Sequence, residues 1–224
     1  MKIVYKDKDV VVINKDAGMP VQSDKSGDAD AMTLLSEELK AICEPSALWL
    51  VHRLDRVVGG AVAFARNKKY AQILSELVSG DGMIKEYFAI VEGSAEGGEM
   101  RDLLYKDSAK GKSFVVDRKR NGVKEAFLEY THLESAETER GIYSLVKVRL
   151  HTGRFHQIRA QFSSRRMPIV GDGKYGSHDN KAKLPALFSA RVAFTVGNKR
   201  VDAKALPDVS SYPWSLFSES SFNK

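Results

Sequence analysis

Three short segments of this 224-residue chain hold side chains whose types and spacing could do chemistry. The first is His52-Arg53-Leu54-Asp55, which puts a carboxylate and an arginine in a turn between two apolar runs. The second is Lys85-Glu86-Tyr87, at the start of a strand that is apolar on both faces. The third is Thr152-Gly153-Arg154-Phe155-His156-Gln157-Ile158-Arg159. A carboxylate can act as a nucleophile that splits one difficult step into two easier ones. An arginine can keep that carboxylate ionised through a bidentate pair. Each residue also has an ordinary reading: Asp55 as a turn residue or helix cap, Tyr87 as a core aromatic, Arg154 and Arg159 as surface charge.

Other arrangements do not survive inspection. Gly171-Asp172-Gly173-Lys174-Tyr175-Gly176 matches the dinucleotide fingerprint letter for letter, but a polar, charged stretch and Pro185 follow where an amphipathic helix is required. A nicotinamide-dependent oxidoreductase would rest on that match alone, and turn chemistry is the favoured reading. His151 and His156 stand five apart, off a common helical face, with no Cys/His/Asp cluster around them, so no metal site is expected. Neither a nucleophile elbow nor a phosphate-loop lysine is present. Cys43, the single cysteine, excludes an internal disulfide and reads as buried packing on a helix.

The elements that must position the three segments read as a strand-rich α+β single domain. Short strands are expected over residues 3–5 and 10–14, with a turn through Ala17-Gly18-Met19-Pro20. A helix from Thr33, acting as its cap, runs to about Ile42. A strand over 61–65 and a helix over 68–78 follow, the latter capped by Asn67 and ended near Gly80. Strands are expected over 84–92, 124–132 and 142–150, with 113–116 a further candidate and an acidic turn over 134–141. Residues 96–112 read as loop, 154–164 as helix, and 188–196 with 199–203 as a hairpin around Gly197-Asn198. The tail over 210–224 has no decisive pattern.

Composition bounds the partners. With 43% hydrophobic and 29% charged residues, the chain sits near the globular average. No apolar run approaches the roughly 18 residues of a membrane span, and the N-terminus has no signal-peptide stretch. Lys and Arg number 35 against 29 Asp and Glu, a formal charge of +6. Residues 147–174 alone hold seven cations (Lys147, Arg149, Arg154, Arg159, Arg165, Arg166, Lys174) and one acid, Asp172, so the remainder of the chain is neutral. One basic segment points either to a dedicated anionic partner or to a solvated helix face.

Taken together, the three segments resemble the signatures of RluA-type RNA pseudouridine synthases. The first matches the family's H-R-L-D. Lys85-Glu86-Tyr87-Phe88-Ala89-Ile90-Val91 resembles its K-x-Y-x-A-x-V strand, and residues 152–159 match T-G-R-x-H-Q-I-R. Pro168-Ile169-Val170-Gly171-Asp172 with Lys174-Tyr175-Gly176 is similar to P-I-x-G-D-x-x-Y-G, which accounts for the false dinucleotide match. The order is family-like, and the resemblance runs from about residue 3 to 208.

The resemblance implies the pseudouridine synthase fold, a mixed, mainly antiparallel sheet flanked by helices and loops around a central RNA-binding cleft. It implies Asp55 as nucleophile, Tyr87 as the ring that stacks on the flipped base and helps the closing proton transfer, and Arg159 (alternatively Arg154) as the partner of the aspartate. Arg53 would enter the RNA stack left by the base, and Arg154, His156, Gln157, Arg165, Arg166 and Lys174 would bind RNA. Isomerisation of uridine oxidises nothing and takes no group from a second substrate, so no cofactor or metal is implied. The expected partner is structured RNA, ribosomal or transfer, met by a cytoplasmic monomer with no membrane and no nucleotide cofactor. The chain leaves no room for the RNA-binding S4 domain of many relatives, so the catalytic surface is expected to bind RNA by itself.

Three departures bear on these expectations. Val58-Gly59-Gly60 stand where the family has Thr-Ser-Gly, Phe188-Ser189-Ala190 where it has L-H-A, and Gln161 where a histidine is common. The altered loop after Asp55 keeps alive a non-catalytic RNA-binding or RNA-folding protein on the same scaffold. Such a protein would bind RNA tightly and salt-dependently but form no pseudouridine.

Overall fold

The structure, a computed structural model, describes residues 1–223. The chain folds into two compact units, one formed by Met1–Lys85 with Ser189–Pro207, the other by Glu86–Phe188 with the residues from Asp208 onward.

The first unit contains β1 (Lys2–Lys6), β2 (Val10–Lys15), α1 (Ala31–Ala41), β3 (Trp49–Leu50), β4 (Gly59–Ala65) and α2 (Lys68–Ser79). β1 pairs antiparallel with β2, β2 with β4, and β3 with β4. β2 and β4 are the core: Val10 through Ile13 and Ala61 through Ala65 are fully buried, so both read as unbroken apolar runs rather than alternating ones. α2 begins at Asn67, whose side chain accepts from the Tyr70 N–H, and ends at Gly80, as the sequence predicts. α1 differs: its cap is Asp30, whose Oδ1 accepts from the Thr33 N–H at 3.0 Å while Oδ2 takes the Thr33 hydroxyl. A carboxylate three residues ahead of the threonine outcompetes it for the same free N–H. Because α1 stops at Ala41, Cys43 falls in the left-handed turn beyond it and is exposed, not buried.

The second unit is built on β5 (Ile84–Glu92), β6 (Gly98–Asp107), β7 (Lys112–Val116), β8 (Val123–Thr138), β9 (Gly141–Leu150) and α3 (Gln157–Ser164). Its ladder runs β5-β9-β8-β6-β7, every pairing antiparallel. The last strands, β10 (Leu187–Val196) and β11 (Lys199–Lys204), pair as an antiparallel hairpin, and β10 lies beside β4. Three expectations fail here for identifiable reasons. Residues 96–112 are mostly β6, because Met100, Asp102 and Leu104 share the inward face and the carboxylate breaks the apolar alternation. Asp102 is satisfied by Gln161 Nε2 at 2.6 Å and Arg165 Nη1 at 2.9 Å, which also accounts for Gln161 at its position. Most of the acidic turn is the exposed end of β8, which continues to Thr138. α3 starts at Gln157 rather than Arg154, because residues 152–156 form a turn that Gln157 itself ties together. The tail is ordered by Trp214, Phe217 and Phe222, all buried, with Phe222 edge-on to Phe88 of β5 at 5.2 Å.

Gly60 shows how little freedom the loop after Asp55 has. Its φ is +111°, and a Cβ there would stand 2.2 Å from the Ser189 carbonyl oxygen, while the Ser189 hydroxyl donates to Ala61 O. Gly60→Ala is expected to lower stability by about 3 kcal/mol or more, combining strain and overlap. Gly27→Ala, with φ +74° and open space around it, should cost only the left-handed strain, about 1–2 kcal/mol. Urea unfolding of the two variants checks the contrast.

Candidate active site

Asp55 belongs to the first unit, between β3 and β4, on a loop held mainly through its backbone. The Asp55 carbonyl accepts from Val58 N at 3.0 Å, and the next carbonyl, that of Arg56, accepts from Gly18 N at 2.8 Å. The Arg56 guanidinium reaches back to Gly18 O at 2.9 Å, to Ser26 Oγ at 3.0 Å and to the Asp28 carboxylate. Beneath this loop lies Lys15, only 1% exposed, whose ammonium donates to the carbonyls of Asp16, Met19 and Arg56. Burial pushes Lys15 down to about 8, opposed by the carboxylates of Asp16 and Asp55. A buried cation with carbonyl partners therefore fastens the turn before α1 to the Asp55 loop and favours an ionised carboxylate nearby.

His52 and Arg53 do different work. Arg53 projects into solvent. The His52 Nε2 accepts the Ala63 N–H at 3.0 Å, which requires a neutral ring with its proton on Nδ1. Burial, with a contribution from Lys85, holds this histidine down at about 4. Val58 fills the core behind the loop, so an apolar side chain takes the place of the hydroxyl found in the resembled motif.

Tyr87 and Arg159 lie in the second unit. Tyr87 is a largely buried residue of β5, in register with Val148 of β9. Arg159, on α3, is 4% exposed and its guanidinium is gripped by Asp172: Nε to Oδ2 at 2.6 Å and Nη2 to Oδ1 at 2.8 Å. Asp172 is 1% exposed and is set by a tight turn. Its N–H reaches Ile169 O, and its own carbonyl accepts from Tyr175 N and Ser177 N. Gly171 makes that turn possible, with φ +80° and no room for a Cβ, which would stand 2.5 Å from Leu184 O. Tyr175 then places its ring 5.0 Å below the Arg159 guanidinium.

The remaining site candidates divide into interior and surface groups. Gln157 is buried, and its amide serves the turn: Oε1 accepts from Thr152 Oγ1 and Arg154 N, while Nε2 donates to Phe127 O. His156 adopts a left-handed conformation (φ +52°), stacks on Phe155 at 3.8 Å and stands 3.0 Å from the Tyr175 hydroxyl through Nδ1. Burial and then the charges of Arg159, Lys174 and Lys106 push it down to about 3, so the ring is neutral at physiological pH. The Arg154 Nε donates to Glu125 O, Arg165 is bidentate on Asp102, and Arg166 and Lys174 are exposed. Thus Arg159 and Arg165 of the basic segment spend their charge on carboxylates of the protein. Among the described residues, no group of three or more His, Cys, Asp or Glu could hold a metal, and no helix is long and apolar enough to cross a membrane.

Sequence reasoning quotes Asp172 and Tyr175 as motif residues without giving either a role, and it missed Lys15. Asp172 did leave a signal, as the one acid among the cations of residues 147–174. Lys15 left none beyond its place at the end of an apolar strand.

Comparison with known proteins places the chain in a family. The family model described as RNA pseudouridylate synthase matches residues 9–164. An uncharacterized RNA pseudouridine synthase of Zymomonas mobilis is 36% identical over 80% of this chain and 80% of its own length. The tRNA pseudouridine synthase C of Haemophilus ducreyi is 33% identical over 81% of this chain and 76% of its own. Among solved structures, human RNA pseudouridylate synthase domain containing 1 superposes with a TM-score of 0.78 over 95% of this chain and 85% of that one, at 21% identity. That last likeness is one of fold.

Two measurements check the electrostatics. Asp172→Ala removes the carboxylate that grips the buried Arg159 guanidinium and should cost about 3–5 kcal/mol in urea unfolding, with Asp172→Asn costing less. For His52, the folded value lies below the unfolded one near 6.5, so the unfolded state takes up the proton first. Its stabilising share is complete above about pH 6.5 and is lost as pH falls toward about 4. His52→Gln keeps an acceptor for Ala63 N–H but cannot titrate, so its loss of stability between pH 7 and pH 5 should be smaller than wild type's by about 2 kcal/mol.

Proposed function

The chain belongs to the RNA pseudouridine synthase family, and on that premise we propose that it isomerises particular uridines in structured RNA, transfer or ribosomal, with Asp55 as nucleophile. The observation that carries this reading is the Asp55 loop itself. Backbone bonds, the Lys15 ammonium and the Arg56 side chain hold the carboxylate's main chain still, so little reorganisation remains for the reaction. In the reaction Asp55 forms a covalent bond to the nucleotide that is broken again before release, the N1–C1′ bond breaks, the uracil turns, a C5–C1′ bond forms, and the proton lost from C5 is balanced by one gained at N1. No electrons are exchanged and no group is imported, so neither metal nor nucleotide cofactor enters the proposal. The base must leave its stack first, at a cost of a few kcal/mol, and stacking on Tyr87 can return about 1–3 kcal/mol. Arg159 serves as the fixed cation of the site, and Arg53, exposed beside Asp55, fills the gap in the RNA.

The relative from Haemophilus ducreyi is named for transfer RNA, which makes unmodified transfer RNA the first substrate to try. Wild-type protein should convert discrete uridines, mapped chemically, whereas Asp55→Asn should bind the same RNA and reduce product formation by at least about 10³-fold. Equal product from both proteins would remove Asp55 from the role. RNA bound by wild type without any product would favour a binding-only protein.

A further inference from the structure

The second unit carries a further concentration of positive charge outside the arginine-rich segment. Residues 106–124 hold seven cations (Lys106, Lys110, Lys112, Arg118, Lys119, Arg120, Lys124) and only two carboxylates, Asp107 and Asp117. Acidic residues elsewhere hide this excess when the chain is counted outside residues 147–174. We propose that β6 and β7, with the loop over 117–122, form an arm that grips RNA phosphates away from the reacting uridine. The inference rests on the RNA-modifying reading above and extends it to how the substrate is held.

Three features support the arm. The first is that its cations are placed but not neutralised. Lys106 sits 4.7 Å from the Phe155 ring centroid, Lys112 5.6 Å from Tyr175 and Arg120 4.7 Å from Tyr105. A ring orders the charge without cancelling it. Among the described residues, Lys110 and Lys119 are the cations of this stretch that reach carboxylates, Asp107 at 3.9 Å and Glu125 at 2.5 Å, and these are exposed pairs of small worth. By contrast, Arg159 and Arg165 of the sequence-flagged segment are held bidentate by Asp172 and Asp102.

The second feature is rigid attachment to the arginine turn. Ser113 of β7 is buried, its N–H donates to the Tyr175 hydroxyl at 2.8 Å, and its hydroxyl donates to Phe155 O at 2.5 Å. Lys174 continues the positive surface, its Nζ lying beside Gly111 at the arm's tip. The third is that cations already cover the ring faces of Phe155, Tyr175 and Tyr105, which leaves point charges rather than stacking platforms. Such a surface reads phosphate and shape, not base identity.

The test uses full-length protein in which Lys110, Arg118 and Lys119, none of which touches the arginine turn, are all changed to Ala. Binding to unmodified transfer RNA is followed across salt, and pseudouridine formation is followed on the same RNA. The slope of log affinity against log salt should fall by about two to three. KM should rise about tenfold with kcat within twofold of wild type, and replacing the two lysines with Arg should preserve both values. An unchanged slope and KM would overturn the arm, as would a fall confined to kcat. Steep wild-type salt dependence lost in the variant, with no pseudouridine formed by either, would retain the arm and overturn the enzymatic reading. Absence of RNA binding by wild type would overturn both.

Discussion

A guanidinium removed from water sets the terms for half of this molecule. Arg159 is almost wholly buried, and an unmatched interior charge costs several kcal/mol, so everything around it is arranged to answer that charge. The answer is a carboxylate, Asp172, whose position requires a turn that only glycine at 171 allows. The same turn delivers Tyr175 below the cation, and Tyr175 in turn receives the Ser113 N–H and stands against His156. Helix, turn and hairpin are thus tied to one ion pair, and the arginine motif is as much a packing solution as a chemical one.

Two kinds of positive charge follow from this arrangement. One kind is internal and immobile: Lys15 among carbonyls under the Asp55 loop, and Arg159 on Asp172. The other is external and carried on aromatic faces along the β6–β7 hairpin. The internal charges organise the protein's own groups, while the external ones remain available to a polyanion. A formal charge of +6 conceals that division, because the count weighs a buried, paired arginine and a solvated lysine equally.

The strands that carry the site were legible where one physical rule dominated. β4 and β5 declare themselves as apolar runs, and α2 by its Asn67 cap and Gly80 end. Legibility failed where a long-range partner overrode a local signal. Asp102 makes β6 look polar until Gln161 and Arg165 arrive from a helix some sixty residues later. Gln157 reads as an RNA-binding residue of the arginine motif, yet its amide is engaged by Thr152, Arg154 and Phe127. Lys15 reads as a strand-end surface lysine, and nothing local announces the three carbonyls that receive it. The three candidate segments could be found because together they resemble the motifs of one family; their supporting groups could not, because those are ordinary residues made special by the fold.

The way the chain threads its two units bears on how it can be synthesised. Met1–Lys85 waits for Ser189–Pro207, and Glu86–Phe188 waits for the residues from Asp208 onward. On a ribosome the fully apolar β4 therefore emerges long before β10, its neighbour in the sheet. Phe88 likewise precedes Phe222, the ring that packs edge-on against it, by most of the chain. Neither unit can be finished in order of translation, and contacts of such long sequence separation slow folding. The nascent protein must keep two apolar strands out of wrong pairings until the residues that complete each unit have been synthesised.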